Sequence, residues 1–170
     1  LAADSWYQEG IDVTQSLLAV EDFPGLIWDP ACGEGNILRA CQSRGLEAVG
    51  SDLVNRGLGG GVDFLLTAGG FTGSIICNPP YHLVEPFIHH ALGMGAAKVA
   101  MLGRLALLEG QGRRETLWTT TPFAKVWVFS RRISIPPGGR GIKATGGSMA
   151  YGWFVWTKGH VGPATVGFLP

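Results

Sequence analysis

The 170-residue sequence is short of charge, of paired cysteines and of long apolar runs, and each shortage narrows what it can be. Only 15% of its residues are charged against 46% hydrophobic, which excludes a disordered chain and fits one globular unit with a real core. No stretch reaches the roughly 18 to 20 uninterrupted apolar residues of a membrane span. Lys98 and Arg104 interrupt the longest candidate, so no membrane partner is expected. The chain opens on Leu1 rather than Met and shows no signal-peptide pattern. Three cysteines with no Cys-x-x-Cys pair argue against a disulfide framework and for reduced thiols in a cytoplasmic setting. Cys41 and Cys77 fall in apolar segments and are expected as small core residues.

Acidic residues are scarce in one half only. Residues 1–85 carry 3 Lys/Arg against 11 Asp/Glu, and residues 86–170 carry 10 against 2. The formal net charge of zero therefore hides halves near −8 and +8. A basic half implies an anionic partner, with nucleic acid first in line, unless the halves interleave in space and their fields cancel. His82, His89 and His90 have no complementary Cys or carboxylate cluster, and His89 and His90 fall on the outer face of a predicted helix, so no metal site is expected.

No repeat, charge run or long linker divides the chain, and one domain over 1–170 is expected, with no separate target-recognition domain. "GIDVTQSLLAV" reads as a helix capped by Asp12, with Gln15 in the capping-box position. "GLIWD" is a short strand ending at Asp29, and "NILRACQSRG" a helix capped by Asn36 and stopped by Gly45. "LEAVGSD" is a second strand ending at Asp52. The glycines of "RGLGGGVDFLL" predict a loop in place of a full helix. "GSIICN" is another buried strand, "VEPFIHHALGMG" a helix and "AKVAML" a strand, followed by a broken helix over "RLALLEGQGRRETLW". "AKVWVFS" and "MAYGWFVWTK" are two aromatic-rich closing strands, separated by the turn-rich "IPPGGRGIKATGGS". This alternation predicts an α/β fold, a mostly parallel sheet with helices on both faces. Right-handed crossovers bring the strand ends Asp29 and Asp52, and the corner "NPPY" at 78–81, to one edge, where ligands of such sheets bind.

"DPACGEGN" (29–36) joins a strand end to a helix start, and Gly33 and Gly35 let a ligand approach the main chain closely. Asp52, 19 residues after Gly33 at the end of the next strand, has the placement of an acidic residue that binds ribose hydroxyls. An adenosine-containing ligand is expected, although a plain structural turn also accounts for the glycines alone. The third glycine of the dinucleotide fingerprint is missing, with Leu38 in its place, and Asp29 and Glu34 are unwelcoming to a pyrophosphate. A cofactor with a cationic end suits this bend better.

"DPACGEG" followed about fifty residues later by "NPPY" resembles the class I S-adenosylmethionine-dependent methyltransferases that modify exocyclic amino groups of nucleic-acid bases. The glycine motif comes first, the order of the adenine-type enzymes. "VAMLGRLALLEGQGRR", "VWVFSRR" and "YGWFVWTKGH" look like the small phage and prophage DNA methylases of that superfamily, so the resemblance spans almost the whole chain. It implies a Rossmann-like class I sheet, mostly parallel with an antiparallel closing strand. It also implies S-adenosylmethionine as cofactor, DNA as partner and adenine N6 as acceptor. In such a site the Asn78 side-chain oxygen and the Pro79 carbonyl would accept from the two N–H groups of the target amine, Pro80 would stiffen the corner and Tyr81 would stack on the base. Well-oriented reactants recover about 7 to 11 kcal/mol of barrier, so no activated Ser, Cys or His nucleophile is required. The implied cofactor contacts are Asp29, Ala31, Cys32, Gly33, Gly35, Asn36, Asp52, Leu53 and Asn78, with Asp63 and Phe64 at the adenine and Tyr7 at the methionine end. Asp63 fits a helix cap nearly as well, and the proline that relatives carry beside the Tyr7 position is absent here.

Arg104, Arg113, Arg114, Arg131, Arg132, Arg140 and Lys143 all follow the corner and are the candidates for phosphate contacts. The sheet consumes nearly all of the chain, which predicts weak or short sequence specificity. Three other readings stand beside DNA: RNA or a free nucleotide as substrate, a protein glutamine amide, and a catalytically silent scaffold subunit. The glutamine enzymes need a sizeable N-terminal domain, and only 28 residues precede Asp29 here. Oligomeric state is left open.

Overall fold

A computed structural model describes residues 6–138 and 149–170. Its strands are β1 (Ile27–Asp29), β2 (Ala48–Gly50), β3 (Ser74–Cys77), β4 (Lys98–Arg104), β5 (Phe123–Phe129), β6 (Tyr151–Thr157) and β7 (Thr165–Leu169). The helices are α1 (Ile11–Leu18), α2 (Asn36–Gln42), α3 (Val84–Gly93) and a short α4 (Gln111–Arg113) that runs on into a π-type turn over Arg114–Trp118. The strands form one sheet in the order β2-β1-β3-β4-β6-β5-β7. Only β6 runs against its neighbours, pairing antiparallel with both β4 and β5.

Burial on both faces explains the near-continuous apolar runs of the central strands. Alternate residues go to opposite sides. Ile76, Ala100, Leu102, Trp153 and Val155 join Val13 and Leu17 of α1 and Ile37 and Cys41 of α2 in one core layer. Ile75, Cys77, Val99, Met101, Phe154 and Trp156 join Phe87, Ile88 and Ala91 of α3 in the other. The two fully buried tryptophans of β6 each find a partner for the indole N–H, which a buried Trp needs. Trp153 donates to the Val13 carbonyl at 3.1 Å and Trp156 to Thr121 Oγ1 at 2.9 Å. Truncating either one costs about 3 to 5 kcal/mol. On the rim beyond α1, Glu21 accepts from Trp127 Nε1 at 2.9 Å and pairs with Lys98 and Lys125, which fastens that loop to β4 and β5.

The sheet departs from the sequence expectation at its far edge. β7 adds a third strand after β4 to the two expected, parallel to β5. It lies on the sheet's rim with Val166 and Phe168 exposed, so it lacks the buried apolar signature by which the others are read. The expected caps are also different. Gly10 precedes α1 with no side-chain cap, and Asp12 instead pairs with Arg131. Gly35, in the left-handed region at φ 85°, precedes α2, and the Asn36 side chain turns away to the Glu9 carbonyl at 2.7 Å. The glycine-rich stretch after β2 is a loop, as expected, up to a 3₁₀ turn at Phe64–Leu66.

Because β1, β2, β3 and β4 are parallel, Asp29, Gly50, Cys77 and Arg104 end them at one edge of the sheet. Tyr151 joins that edge because β6 starts there, paired with Arg104.

Candidate active site

The bend after β1 is built by hydrogen bonds that need glycine. Gly33 sits at φ 52° and Gly35 at φ 85°, where L side chains are strained. Gly35 N–H closes the turn on the Cys32 carbonyl at 2.7 Å, and Cys32 N–H reaches the Ser51 carbonyl beyond β2 at 3.0 Å. Asp29 accepts from Ala31 N–H at 3.2 Å. Gly33 N–H donates to Asp52 Oδ2 at 2.8 Å. The other Asp52 oxygen accepts from Val54 N–H at 2.9 Å and from the Arg56 guanidinium at 2.8 Å.

The corner after β3 faces this bend. Asn78 Nδ2 donates to the Tyr7 carbonyl at 3.0 Å and to Glu9 Oε2 at 2.8 Å. Two acceptors on the same nitrogen fix the amide's orientation. Asn78 Oδ1 is then left buried with no partner among the described residues. A buried acceptor left unmade costs about 1 to 3 kcal/mol, so such an atom calls for a donor from a bound water or a ligand. Tyr81 is anchored by its hydroxyl, 3.1 Å from that of Tyr151, while the Arg104 guanidinium lies 4.8 Å over its ring and the Tyr7 ring 5.2 Å away. Burial and the Tyr151 hydroxyl push the Tyr81 hydroxyl further from ionising.

Two buried carboxyls, Glu9 and Asp29, share a small cavity with Asn78 and Gly33. Burial pushes the Glu9 carboxyl up to about 7, against the pull of its own main-chain N–H, of Asn78 and of Arg39. Burial and then the charge of Glu9 push Asp29 well above the carboxylate range. Such a wall, short of positive charge, suits a cationic guest. Cys32 and Cys41 are held up to about 11 by burial and by Asp29, and Cys77 is likewise raised well above the usual thiol value by burial and Asp29, so all three are inert thiols. The cavity has room for about one water-sized sphere. Trp6 is the reason: a Cβ on Gly33 would come 2.8 Å from its ring, and Arg56 covers that ring at 4.8 Å. On the far side of Gln8 and Glu9 lies an open groove of about 300 Å³, lined in part by Asp12, Arg131 and Pro136.

The structure thus brings Tyr7, Asp29, Ala31, Cys32, Gly33, Asn36 and Asn78 around one cavity, with Asp52 and Gly35 just behind it. Leu53 is exposed at the rim. Asp63 caps the 3₁₀ turn through Leu65 N–H at 3.0 Å, and Phe64 is 2% exposed among Trp28, Phe87 and His90, which makes it a core ring. His90 is therefore half-buried against Phe64 rather than on the outer face, while His82 and His89 are exposed. Arg113 is spent on the fold, donating to the Leu107 and Glu109 carbonyls and pairing with Glu85 at 3.2 Å. Arg104, Arg114, Arg131 and Arg132 are exposed, Arg131 in its pair with Asp12. Arg140 and Lys143 lie outside the described residues. Glu9, Trp6, Arg56 and Tyr151 are the site residues that sequence reasoning missed. Among the described residues no group of three His, Cys, Asp or Glu side chains is placed to hold a metal, and no helix is long and apolar enough to cross a membrane.

No family model matches the chain, and no curated protein matches it in sequence. Solved structures do match it in shape. A modification subunit of a candidate type I restriction enzyme from Vibrio vulnificus YJ016 superposes over 96% of this chain, with a TM-score of 0.60 and 13% identity. The chain has a Rossmann-like methyltransferase fold. Magnesium protoporphyrin IX methyltransferase from Synechocystis PCC 6803, solved with bound S-adenosylmethionine, matches 86% of the chain and 77% of its own length, at TM-score 0.56 and 15% identity. A dimethyladenosine transferase from Plasmodium falciparum matches 86% of the chain and 60% of its own length, at 0.53 and 11%. This chain spans 46% of the restriction-enzyme subunit. In this fold the bend after the first strand and the corner at Asn78 belong to one ligand-binding edge.

Proposed function

We propose that this chain is an S-adenosylmethionine-dependent methyltransferase acting on an exocyclic amino group of a nucleic-acid base, adenine N6 in DNA, with weak or short sequence specificity. The observation that carries the reading is Asn78, which lines the cavity with Gly33 and Asp29: its amide is pinned through Nδ2 while Oδ1 is buried without a partner among the described residues. An amide oxygen offered without a competing donor accepts an N–H of an aromatic amine. That bond draws the nitrogen toward tetrahedral geometry and leaves its lone pair available.

The residues present fit the donor in chemistry. Gly33 and Gly35 allow close approach of the nucleoside, Asp52 is the ribose partner once Arg56 releases it, and a positive end would draw a proton off the Asp29 and Glu9 pair and be offset by the carboxylate so formed. When bound, S-adenosylmethionine supplies an electrophilic methyl group on a sulfonium. Pro79 offers its carbonyl as the second acceptor for the amine, and Tyr81, steadied by Tyr151, offers a ring for the base. A duplex base reaches such a corner only after leaving the stack, at a cost of a few kcal/mol, so single-stranded or mismatched DNA is the better substrate. Arg104, above Tyr81, and the exposed Arg114 and Arg132 are suited to phosphates, which add affinity without sequence information.

Incubation of the chain with methyl-labelled donor and separate single-stranded DNA, duplex DNA and RNA tests this. Label recovered as N6-methyladenine from DNA is the expected result. Label in RNA alone would move the substrate, and no label in any nucleic acid would overturn the reading.

A further inference from the structure

We infer that Glu9 is the positioning residue of this site: as a carboxylate it holds the Asn78 amide with Oδ1 toward the reacting amine, and on protonation it loosens that hold, leaving the Tyr7 carbonyl as the one fixed acceptor. The inference rests on the reading of Asn78 given above and adds a residue and a pH dependence to it.

Glu9 Oε2 lies 2.8 Å from Asn78 Nδ2, and the Tyr7 carbonyl is the second acceptor at 3.0 Å. An ionised carboxylate and a carbonyl are acceptors only. Turning the amide over would set Oδ1 against both of them, losing two hydrogen bonds and adding repulsion. A protonated Glu9 can meet either edge of the amide, its carbonyl oxygen accepting from Nδ2 or its O–H donating to Oδ1, so the Tyr7 carbonyl alone is left to oppose turning over. Nδ2 would then face the amine, donor against donor, and the corner cannot accept.

Glu9 is itself held for this task. It is 6% exposed, and its carbonyl accepts from Asn36 Nδ2 at 2.7 Å, which ties it to the start of α2. Its charged surroundings come from every side. Arg39 of α2 favours the carboxylate, while Asp29 at the end of β1 and the Cys77 thiol of β3 are themselves raised by the Glu9 charge. Asp12 of α1 and Arg131 after β5 line the groove on its other side, paired with one another. Burial outweighs Arg39 and brings the Glu9 carboxyl to about 7, which puts the change near neutral pH.

The test follows the Asn78 side-chain amide by ¹⁵N NMR in the chain without ligand, alongside methyl transfer, in wild type and Glu9→Gln. The Asn78 NH₂ signals, assigned by their loss in Asn78→Ser, are expected to titrate near pH 7 in wild type and to stay flat in Glu9→Gln. In parallel, kcat/KM of wild type is expected to fall about tenfold from pH 8 to pH 6, while that of Glu9→Gln changes by less than about twofold. Amide signals that ignore pH in wild type, or an acid limb unchanged in Glu9→Gln, would overturn the role of Glu9. A wild type that transfers no methyl to any nucleic acid overturns the proposed function instead, and the amide titration then still decides the Glu9–Asn78 coupling.

Discussion

The main-chain amide of Gly33 and the carboxylate of Asp52 meet at 2.8 Å, which joins the bend after β1 to the loop after β2. The same carboxylate also receives Val54 N–H and Arg56. Asp52→Ala leaves the Gly33 N–H without its charged partner, a loss of about 1.5 to 3 kcal/mol. Binding of S-adenosylhomocysteine, measured by calorimetry, is expected to weaken about tenfold or more. Arg56→Ala, which frees the carboxylate but keeps the Gly33 bond, is expected to bind at least as tightly as wild type. Equal weakening in both variants would show that the ion pair, not the bend, matters.

Trp6 occupies the space a nucleoside needs beside Gly33. Trp6→Ala removes that competitor and is expected to tighten S-adenosylhomocysteine binding by about three- to tenfold. Weaker binding in the same titration would make the indole a contact rather than an obstacle.

Glu9 and Asp29 have a consequence for stability. Both carboxyls are raised by burial above their ordinary values, so the folded chain holds protons that the unfolded chain releases. The stability this gives is full below about pH 4.5 and is lost as pH rises through the folded values, near 7 for Glu9. Wild type is therefore expected to melt lower at pH 8 than at pH 5. Glu9→Gln removes one such group and is expected to gain about 3 kcal/mol relative to wild type at pH 8. A melting temperature that rises from pH 5 to pH 8 in wild type would contradict this.

Tyr151→Phe deletes the hydroxyl that anchors Tyr81. The cost in stability is about 1 kcal/mol, with donor binding unchanged. The kcat of methyl transfer is expected to fall several-fold because the ring above the base is less fixed. A change confined to donor affinity would place Tyr151 elsewhere in the mechanism.

Much of this arrangement is legible in the residues themselves. Short apolar runs that each stop at Asp29, Asp52 or Asn78 declare strand ends, and parallel order alone brings those ends to one edge. The glycines at 33 and 35 are legible because a strand-to-helix bend needs left-handed residues there. Glu9 is not legible: it reaches Asn78 across 69 residues, and nothing in "SWYQEGIDV" marks the acid that will be buried. Arg113 shows the same limit in reverse. A basic residue after the corner looks like a phosphate contact, yet its guanidinium is taken up by the Leu107 and Glu109 carbonyls and by Glu85. Such long-range pairing is set by the fold and leaves no periodicity to read. β7 escapes for a simpler reason, since an edge strand with exposed Val166 and Phe168 carries no burial pattern.

The most direct measurement compares wild type and Asn78→Ala for methyl transfer to single-stranded DNA and, on the same samples, for S-adenosylhomocysteine binding. Asn78→Ala is expected to lose transfer while its binding constant stays within about threefold of wild type. Transfer at the wild-type rate without the Asn78 side chain would contradict it.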